Sequence, residues 1–339
     1  MVLDIYFEDN YGRLYEKKPS EIFEKFVLKN EYGCVTNKFI KRIIPIQLND
    51  SQDKFYDIIT PYGYGGPIIE SLNSPSYKEK LIESYNKAFR NYADDNNIVS
   101  EFVRFHPIVR NAEDFNSIYQ IKVDRTTFGT DLTQNDPIAY DFSNSAKKKI
   151  NKLLKKYPIH YVYDEHPKNL NDFKKIYYST MDRKSAMDEY YFDDEYFNKL
   201  IEYFPDNLVT VKIFLDSNEK SELIGMGLYF RYGKYLHTHL SGTLTEFLKF
   251  SPAYILKQAF LEYGKENGYS IIHYGGGKTS STEDSLREFK ERFGQRTQFN
   301  FCLGTKIWNQ EKYDEFCTVM GTTKENDFFP AYRKKNRED

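Results

Sequence analysis

LVTVKIFLDSNEKSELIGMGLYFRYGKYLHTHLSGTLTEFLKFSPAYILKQAFLEYGKENGYSIIHYGGG, residues 208–277, is the stretch whose reading decides the fold. Val209, Val211 and Ile213 alternate along Leu208–Leu215, the period of a strand with one buried face. Asp216-Ser217-Asn218-Glu219 turns the chain into a second strand, Glu222–Arg231, and Tyr232-Gly233 turns it into a third, Tyr235–Gly242. A helix then runs from Pro252 to about Asn267. Ser251 is its expected N-cap, Pro252 fills the first position, where a missing N–H costs nothing, and Gly268 stops it. A fourth strand, Tyr269–Tyr274, leads into the loop Gly275-Gly276-Gly277-Lys278-Thr279-Ser280-Ser281. Three antiparallel strands and a helix crossover to a fourth make an α/β (α+β) architecture with a mixed, mainly antiparallel sheet.

Outward from this stretch, residues 169–187 and 193–204 read as helices. Asp193 is a candidate N-cap, and Phe197, Leu200, Ile201 and Phe204 recur at helical spacing. Downstream, a helix over Thr282–Phe293 starts at Ser280 with Glu283 in a capping-box position and ends at Gly294. A strand over Thr297–Trp308 and a short helix over Gln310–Met320 follow. The element order is α-α-β-β-β-α-β-α-β.

The first half echoes the second. Strands at Lys38–Leu48 and Lys54–Thr60 precede Ser74-Pro75-Ser76-Tyr77, a helix to about Asn96 and a strand Val99–Phe105. Ser251-Pro252-Ala253-Tyr254 likewise opens a helix that precedes a strand, so an internal duplication is expected. It divides the chain into 1–157, 158–320 and a tail, 321–339, that can return to the first domain.

Length and composition agree with two packed domains. The 339 residues include 30 Tyr and 27 Phe, large rings that build a core from few aliphatics. A formal charge of −2 carries no basic stripe of the kind duplex-binding proteins use, and no DNA partner is expected. Cys34, Cys302 and Cys317 are odd in number and far apart, the usage of reduced packing thiols. The N-terminus has no apolar signal segment and no stretch approaches the ~20 apolar residues of a membrane span, so a cytoplasmic location is expected.

Several groupings could carry chemistry. Gly275–Ser281 lacks the first glycine of a phosphate-binding P-loop, because that position is Ile272. Gly275, Gly276 and Lys278 could still let backbone amides and an ammonium approach a ligand, or the segment could be a plain strand-to-helix loop. Tyr235, His237, His239 and Ser241 fall on one strand face by period two. A metal would need a further ligand from His106, His273 or a carboxylate, which the spacing does not supply, and no metal is expected. One histidine orienting or deprotonating an amine is the chemical alternative to a hydrogen-bonded ladder. Leu286, Phe289 and Phe293 form a buried stripe, with Lys290 at its edge, either solvated or aimed into a cleft to face an oxyanion. The run Lys147-Lys148-Lys149 with Lys152, Lys155 and Lys156 is a solvated helix face or a patch for a phosphate-rich partner. Tyr62 and Tyr64 lie in a glycine-tyrosine loop, and Arg104 near the end of a strand suits a carboxylate or phosphate.

Taken in order, His237–Gly242, Leu248–Ala253, Tyr269–Gly277 and the ending Phe289-Lys290-Glu291-Arg292-Phe293-Gly294 resemble the Fem-type (FemABX) peptidoglycan bridge aminoacyltransferases and their GNAT-like acyltransferase relatives. The resemblance is best over residues 160–308, and it implies two tandem GNAT-like domains without a coiled-coil arm. It further implies direct transfer of an activated acyl or aminoacyl group to an amine of a cell-envelope precursor, peptidoglycan or surface polysaccharide. On the matching F-K-x-x-F-G, Lys290 would stabilise the transition state; His239 and Lys278 sit in matching segments without an assigned role. The donor is acyl-CoA or aminoacyl-tRNA, and no tightly bound cofactor is expected. CoA-using relatives place a glycine-rich pyrophosphate loop before the central helix. Here Leu248-Lys249-Phe250-Ser251-Pro252-Ala253-Tyr254 has no glycine, leaving the helix start and Lys249 to hold a phosphate. The competing reading is a non-catalytic saccharide- or precursor-binding module, with Tyr62, Tyr64 and Tyr235 as stacking platforms.

Overall fold

The computed structural model describes residues 3–16, 18–48, 53–323 and 328–334, excluding the side chain of Glu189. Its strands are β1 (Glu21–Asn30), β2 (Gly33–Ile43), β3 (Tyr56–Ile59), β4 (Ile68–Leu72), β5 (Ile98–Arg104), β6 (Gln120–Asp131), β7 (Ile159–Asp164), β8 (Leu208–Asp216), β9 (Ser221–Tyr232), β10 (Tyr235–Thr243), β11 (Ile271–Gly275) and β12 (Gln298–Ile307). Two compact units result: Met1–Asp124 with Asn300–Asp339, and Arg125–Phe299. The sequence had suggested a division at residue 157, with 300–320 in the second domain. Instead the chain enters the second unit within β6 and leaves it within β12, so residues 300–320 belong to the first. Of the expected tail, 324–327 and 335–339 lie outside the described residues. Within the first unit, Tyr332 Oη lies 2.8 Å from Ser100 Oγ, and Arg333 and Arg42 both pair with buried Asp57.

In the first unit β1 and β3 flank β2 antiparallel, β3 runs parallel to β5, and β5 pairs antiparallel with β12. The helix Lys78–Asp95, opened by Ser74-Pro75, crosses from the β3 side to β5 and buries Leu81, Tyr85, Phe89 and Ala93 in the unit's core. In the second unit the order is β6-β11-β10-β9-β8-β7, with β10 and β11 parallel and the other pairs antiparallel. The helix Pro252–Glu266 makes the corresponding crossover and packs Ile255, Leu256, Ala259 and Phe260 against Val209, Val211, Ile224 and Tyr229. The two S-P-x-Y openings therefore start equivalent crossover helices.

A buried carboxyl sits in the first unit. Glu101 on β5 accepts hydrogen bonds from Asn37 Nδ2 (2.8 Å), Tyr119 Oη (3.0 Å) and Trp308 Nε1 (3.0 Å). Burial pushes it up to about 7, with those three donors opposing. The raised value means the protonated form contributes stability that is complete below the ordinary 4.5 and lost as pH rises through about 7. Glu101→Gln, which keeps the neutral shape, should therefore flatten the dependence. Between pH 5 and 8 the wild type should lose roughly 3 kcal/mol more than the variant, read from denaturant unfolding. An equal pH slope in both proteins would show that Glu101 stays ionised.

Candidate active site

The second unit contains a fork. β10 pairs with β11 only at Tyr235–Ile271, Leu236–Ile272 and His237–His273, after which β10 continues to Thr243 beside β9 alone. The separation has two local causes. A bulge between Thr238 and Leu240 re-aims β10, and β11 ends at Gly275, whose φ of +73° is a left-handed conformation suited to glycine. Beyond the fork side chains bond the end of β10. The Thr243 N–H donates to Thr180 Oγ1 (2.8 Å), and its carbonyl accepts from Thr180 Oγ1 and Arg183 Nη1 (both 3.1 Å). Gly242 permits this approach, since a Cβ there would lie 2.6 Å from the Ile176 carbonyl oxygen on the helix Asn171–Arg183. An open groove of about 570 Å³ follows, lined by Lys175, Tyr178, Ser179, Asp182, Arg183 and Thr245. The equivalent strands of the first unit stay laced: the Thr60 N–H donates to the Phe102 carbonyl (3.2 Å) and the Gly65 N–H to the Arg104 carbonyl (2.8 Å).

Lys290 stands at this fork. Its Nζ donates to the Gly276 carbonyl at 2.7 Å, holding the ammonium against the loop that leaves β11. Burial lowers it to about 8; Asp284 opposes the shift, and Arg125 and Lys184 add to it. The loop is itself braced. Arg125 Nη1 donates to the Gly277 carbonyl (2.9 Å), and Asp284 accepts from the amides of Thr279 (2.8 Å), Leu286 (2.8 Å) and Arg287 (3.0 Å). Burial raises the Asp284 carboxyl, but amides of Arg287, Thr279, Leu286 and Lys278 outweigh it and hold it at about 2. Asp284 is thus the N-cap of the helix Ser285–Glu291, in place of the expected Ser280, because its carboxylate reaches three amides. Gly294 closes the F-K-x-x-F-G segment for a packing reason: a Cβ there would meet the Gly129 carbonyl oxygen at 2.4 Å.

The other sequence candidates have varied surroundings. His237 faces His273 with ring centroids 5.7 Å apart. His239 is the extra residue of the bulge; its Nε2 lies 2.7 Å from Tyr196 Oη, and burial, then His237, depress it to about 3. Burial therefore favours the neutral ring of His239, which the Tyr196 hydroxyl holds in place. Tyr235 packs at the paired end of β10. Tyr254 is buried between Phe289 and Phe293, with Arg292 donating to its hydroxyl at 2.9 Å. Lys149 of the lysine run lies over the same ring. Ser251 occupies the N-cap position in a left-handed conformation (φ +48°) and makes no side-chain cap. Lys249 and Lys278 are exposed. Arg104, Tyr62 and Tyr64 belong to the first unit. There Arg104 donates to the Thr60 carbonyl at 3.3 Å, and burial and then Arg42 lower it to about 10. Tyr64 is packed by Tyr6, His106 and Phe301, while Tyr62 is half-exposed.

One residue at the fork escaped the sequence reading. Lys257 is 6% exposed; its Nζ lies 4.0 Å from the Tyr274 ring centroid and 3.5 Å from Thr238 Oγ1. The signal was available, because Lys257 falls at i+3 from Tyr254 and i−3 and i−4 from Phe260 and Leu261, on an otherwise apolar stripe. Among the described residues, no helix is long and apolar enough to cross a membrane.

Residues 141–291 match the family described as the acetyltransferase (GNAT) domain. No curated protein matches the chain. Among solved structures, FemX is similar with a TM-score of 0.70 at 12% identity, covering 92% of this chain and 94% of that one. L-PGS from Bacillus licheniformis follows at 0.55 and 13%, covering 88% of each. The C-terminal (DUF2156) domain of an Agrobacterium fabrum protein described as a "putative lysylphosphatidylglycerol synthetase" gives 0.52 at 9%, covering 90% and 89%. Residues 141–291 are thus a GNAT-type acyltransferase domain, and the chain as a whole shares its fold with FemX.

Proposed function

We propose that the fork transfers an activated acyl or aminoacyl group from an ester or thioester to an amine of a cell-envelope precursor, peptidoglycan or surface polysaccharide. One observation carries this reading: β10 and β11 part after His237 and His273, and the Lys290 ammonium is fixed beside the parted strands. An acyl carbonyl lying in that gap would find a cation where negative charge develops during attack. Names of similar structures support the same reading, since one is FemX and another is described as a lysylphosphatidylglycerol synthetase.

The start of the crossover helix favours aminoacyl-tRNA over acyl-CoA. The amides of Phe247, Ser251 and Tyr254 already donate to the carbonyls of Leu244, Leu248 and Ser251, and Pro252 has none. Few amides are left to grip a pyrophosphate. An aminoacyl ester needs only its acyl end in the fork, with the nucleic acid outside. The groove by Thr245 then suits the acceptor's approach.

The test uses a tRNA pool charged with radiolabelled amino acids and, separately, labelled acetyl-CoA. The acceptor is a lysine-containing peptidoglycan-precursor pentapeptide, and product is read by mass spectrometry. Label in the peptide from the charged tRNA is expected. Label from acetyl-CoA alone would overturn the donor assignment. Transfer from neither, with saccharides alone shifting the melting temperature, would favour a binding module instead.

A further inference from the structure

We propose that Lys257 is the general base of this site, taking a proton from the ammonium group of the acceptor. The inference rests on the acyl-transfer reading above and adds the group that makes the acceptor nucleophilic. An amine near neutrality is almost wholly protonated, and an ammonium has no lone pair with which to attack.

Lys257 has the placement for this task. The crossover helix carries it to the point where the strands part: Thr238 is the first β10 residue beyond the paired segment, and Tyr274 is next to last on β11. Its surroundings are a hydroxyl at 3.5 Å and an aromatic face, and among the described residues no carboxylate pairs with it. A structural lysine buried to this degree is ordinarily matched by a carboxylate, and a position that only needed filling would hold leucine or methionine. The charged and titratable groups facing it are Lys290 on the helix Ser285–Glu291, Tyr274 on β11 and, near Tyr274, Tyr229 on β9. Both tyrosines are driven upward by burial and stay neutral. Burial first, then Lys290, drive Lys257 well below its ordinary range, so the two lysines divide the work. Lys290 keeps its proton below about 8 and faces the oxyanion, whereas Lys257, buried with no carboxylate beside it among the described residues, is shifted toward its neutral form.

The step balances. The acceptor ammonium gives one proton to Lys257 Nζ, and the freed amine attacks the acyl carbonyl, forming the C–N bond. The bond from carbon to the leaving oxygen or sulfur then breaks. That leaving atom takes the second nitrogen proton, and Lys257 returns the first to water.

Hydroxylamine is neutral at pH 7 and needs no base to expose its lone pair, so it separates this role from a packing role. With charged tRNA as donor, Lys257→Met should lose ~100-fold in transfer to the precursor pentapeptide, the usual contribution of a general base. Its transfer to hydroxylamine, above the enzyme-free rate, should fall several-fold at most. Lys257→Arg, which cannot release its proton, should show the same split; it serves as the second variant should methionine disturb folding. Equal loss on both acceptors, or no loss on either, overturns the assignment of Lys257. Failure of the wild type to transfer to either acceptor instead overturns the acyl-transfer reading, and the base falls with it.

Discussion

Lys290→Met should lower turnover by ~100- to 1000-fold, the cost of removing one oxyanion donor, while leaving the melting temperature within a few degrees of wild type. The methionine keeps an aliphatic stem of similar length and loses only the ammonium. One hydrogen bond goes with it, that to the Gly276 carbonyl, and the loop retains its Arg125 and Asp284 braces. The pH profile carries a second signature. Because Lys290 is lowered to about 8, its charged form is present below that pH and lost above it, so wild-type turnover should decline on a basic limb near 8. Undiminished turnover in the methionine variant would remove Lys290 from the chemistry.

Asp141→Ala should strongly destabilise the second unit. The buried Asp141 carboxylate accepts from the amides of Asp131 (2.9 Å), Arg296 (3.1 Å) and Thr297 (2.9 Å) and from Thr297 Oγ1 (2.7 Å). These bonds tie the end of β6 to the segment that follows Gly294. Alanine leaves three amides and a hydroxyl without their acceptor, at a cost of about 4 kcal/mol. For a unit of this size that is a fall of roughly 10 °C in melting temperature, measurable by calorimetry. Because the same segment anchors the Lys290 helix, turnover should fall as well. A variant that melts within about 2 °C of wild type would show that water replaces the carboxylate.

These two residues mark what could and could not be read in the sequence. Lys290 was legible because the F-K-x-x-F-G ending is local and its apolar stripe has a clear period. The strands β8, β9 and β10 were equally legible, since alternating Val and Ile between turns leaves little choice. Asp141 was not, because its four partners come from two segments, one of them about 155 residues away. β1 escaped for a different reason. Ile22, Phe23, Phe26 and Val27 space themselves as a helix would, and only pairing with β2 along Glu21–Asn30 makes the segment a strand. The domain division failed likewise, since no local feature of β12 announces that its later half pairs with β5. The separation of β10 from β11 depends on a bulge at His239 that the even alternation of the sequence conceals.

The central claim is that the parted strands hold the acyl group. Its most direct test is a crystal structure of the protein with a short CCA-ended RNA bearing a non-hydrolysable aminoacyl amide. The acyl chain is predicted to lie between β10 beyond Thr238 and the end of β11, its carbonyl oxygen within about 3 Å of Lys290 Nζ. An analogue seated elsewhere, over strands paired along their whole length and with Lys290 turned to solvent, would contradict the account.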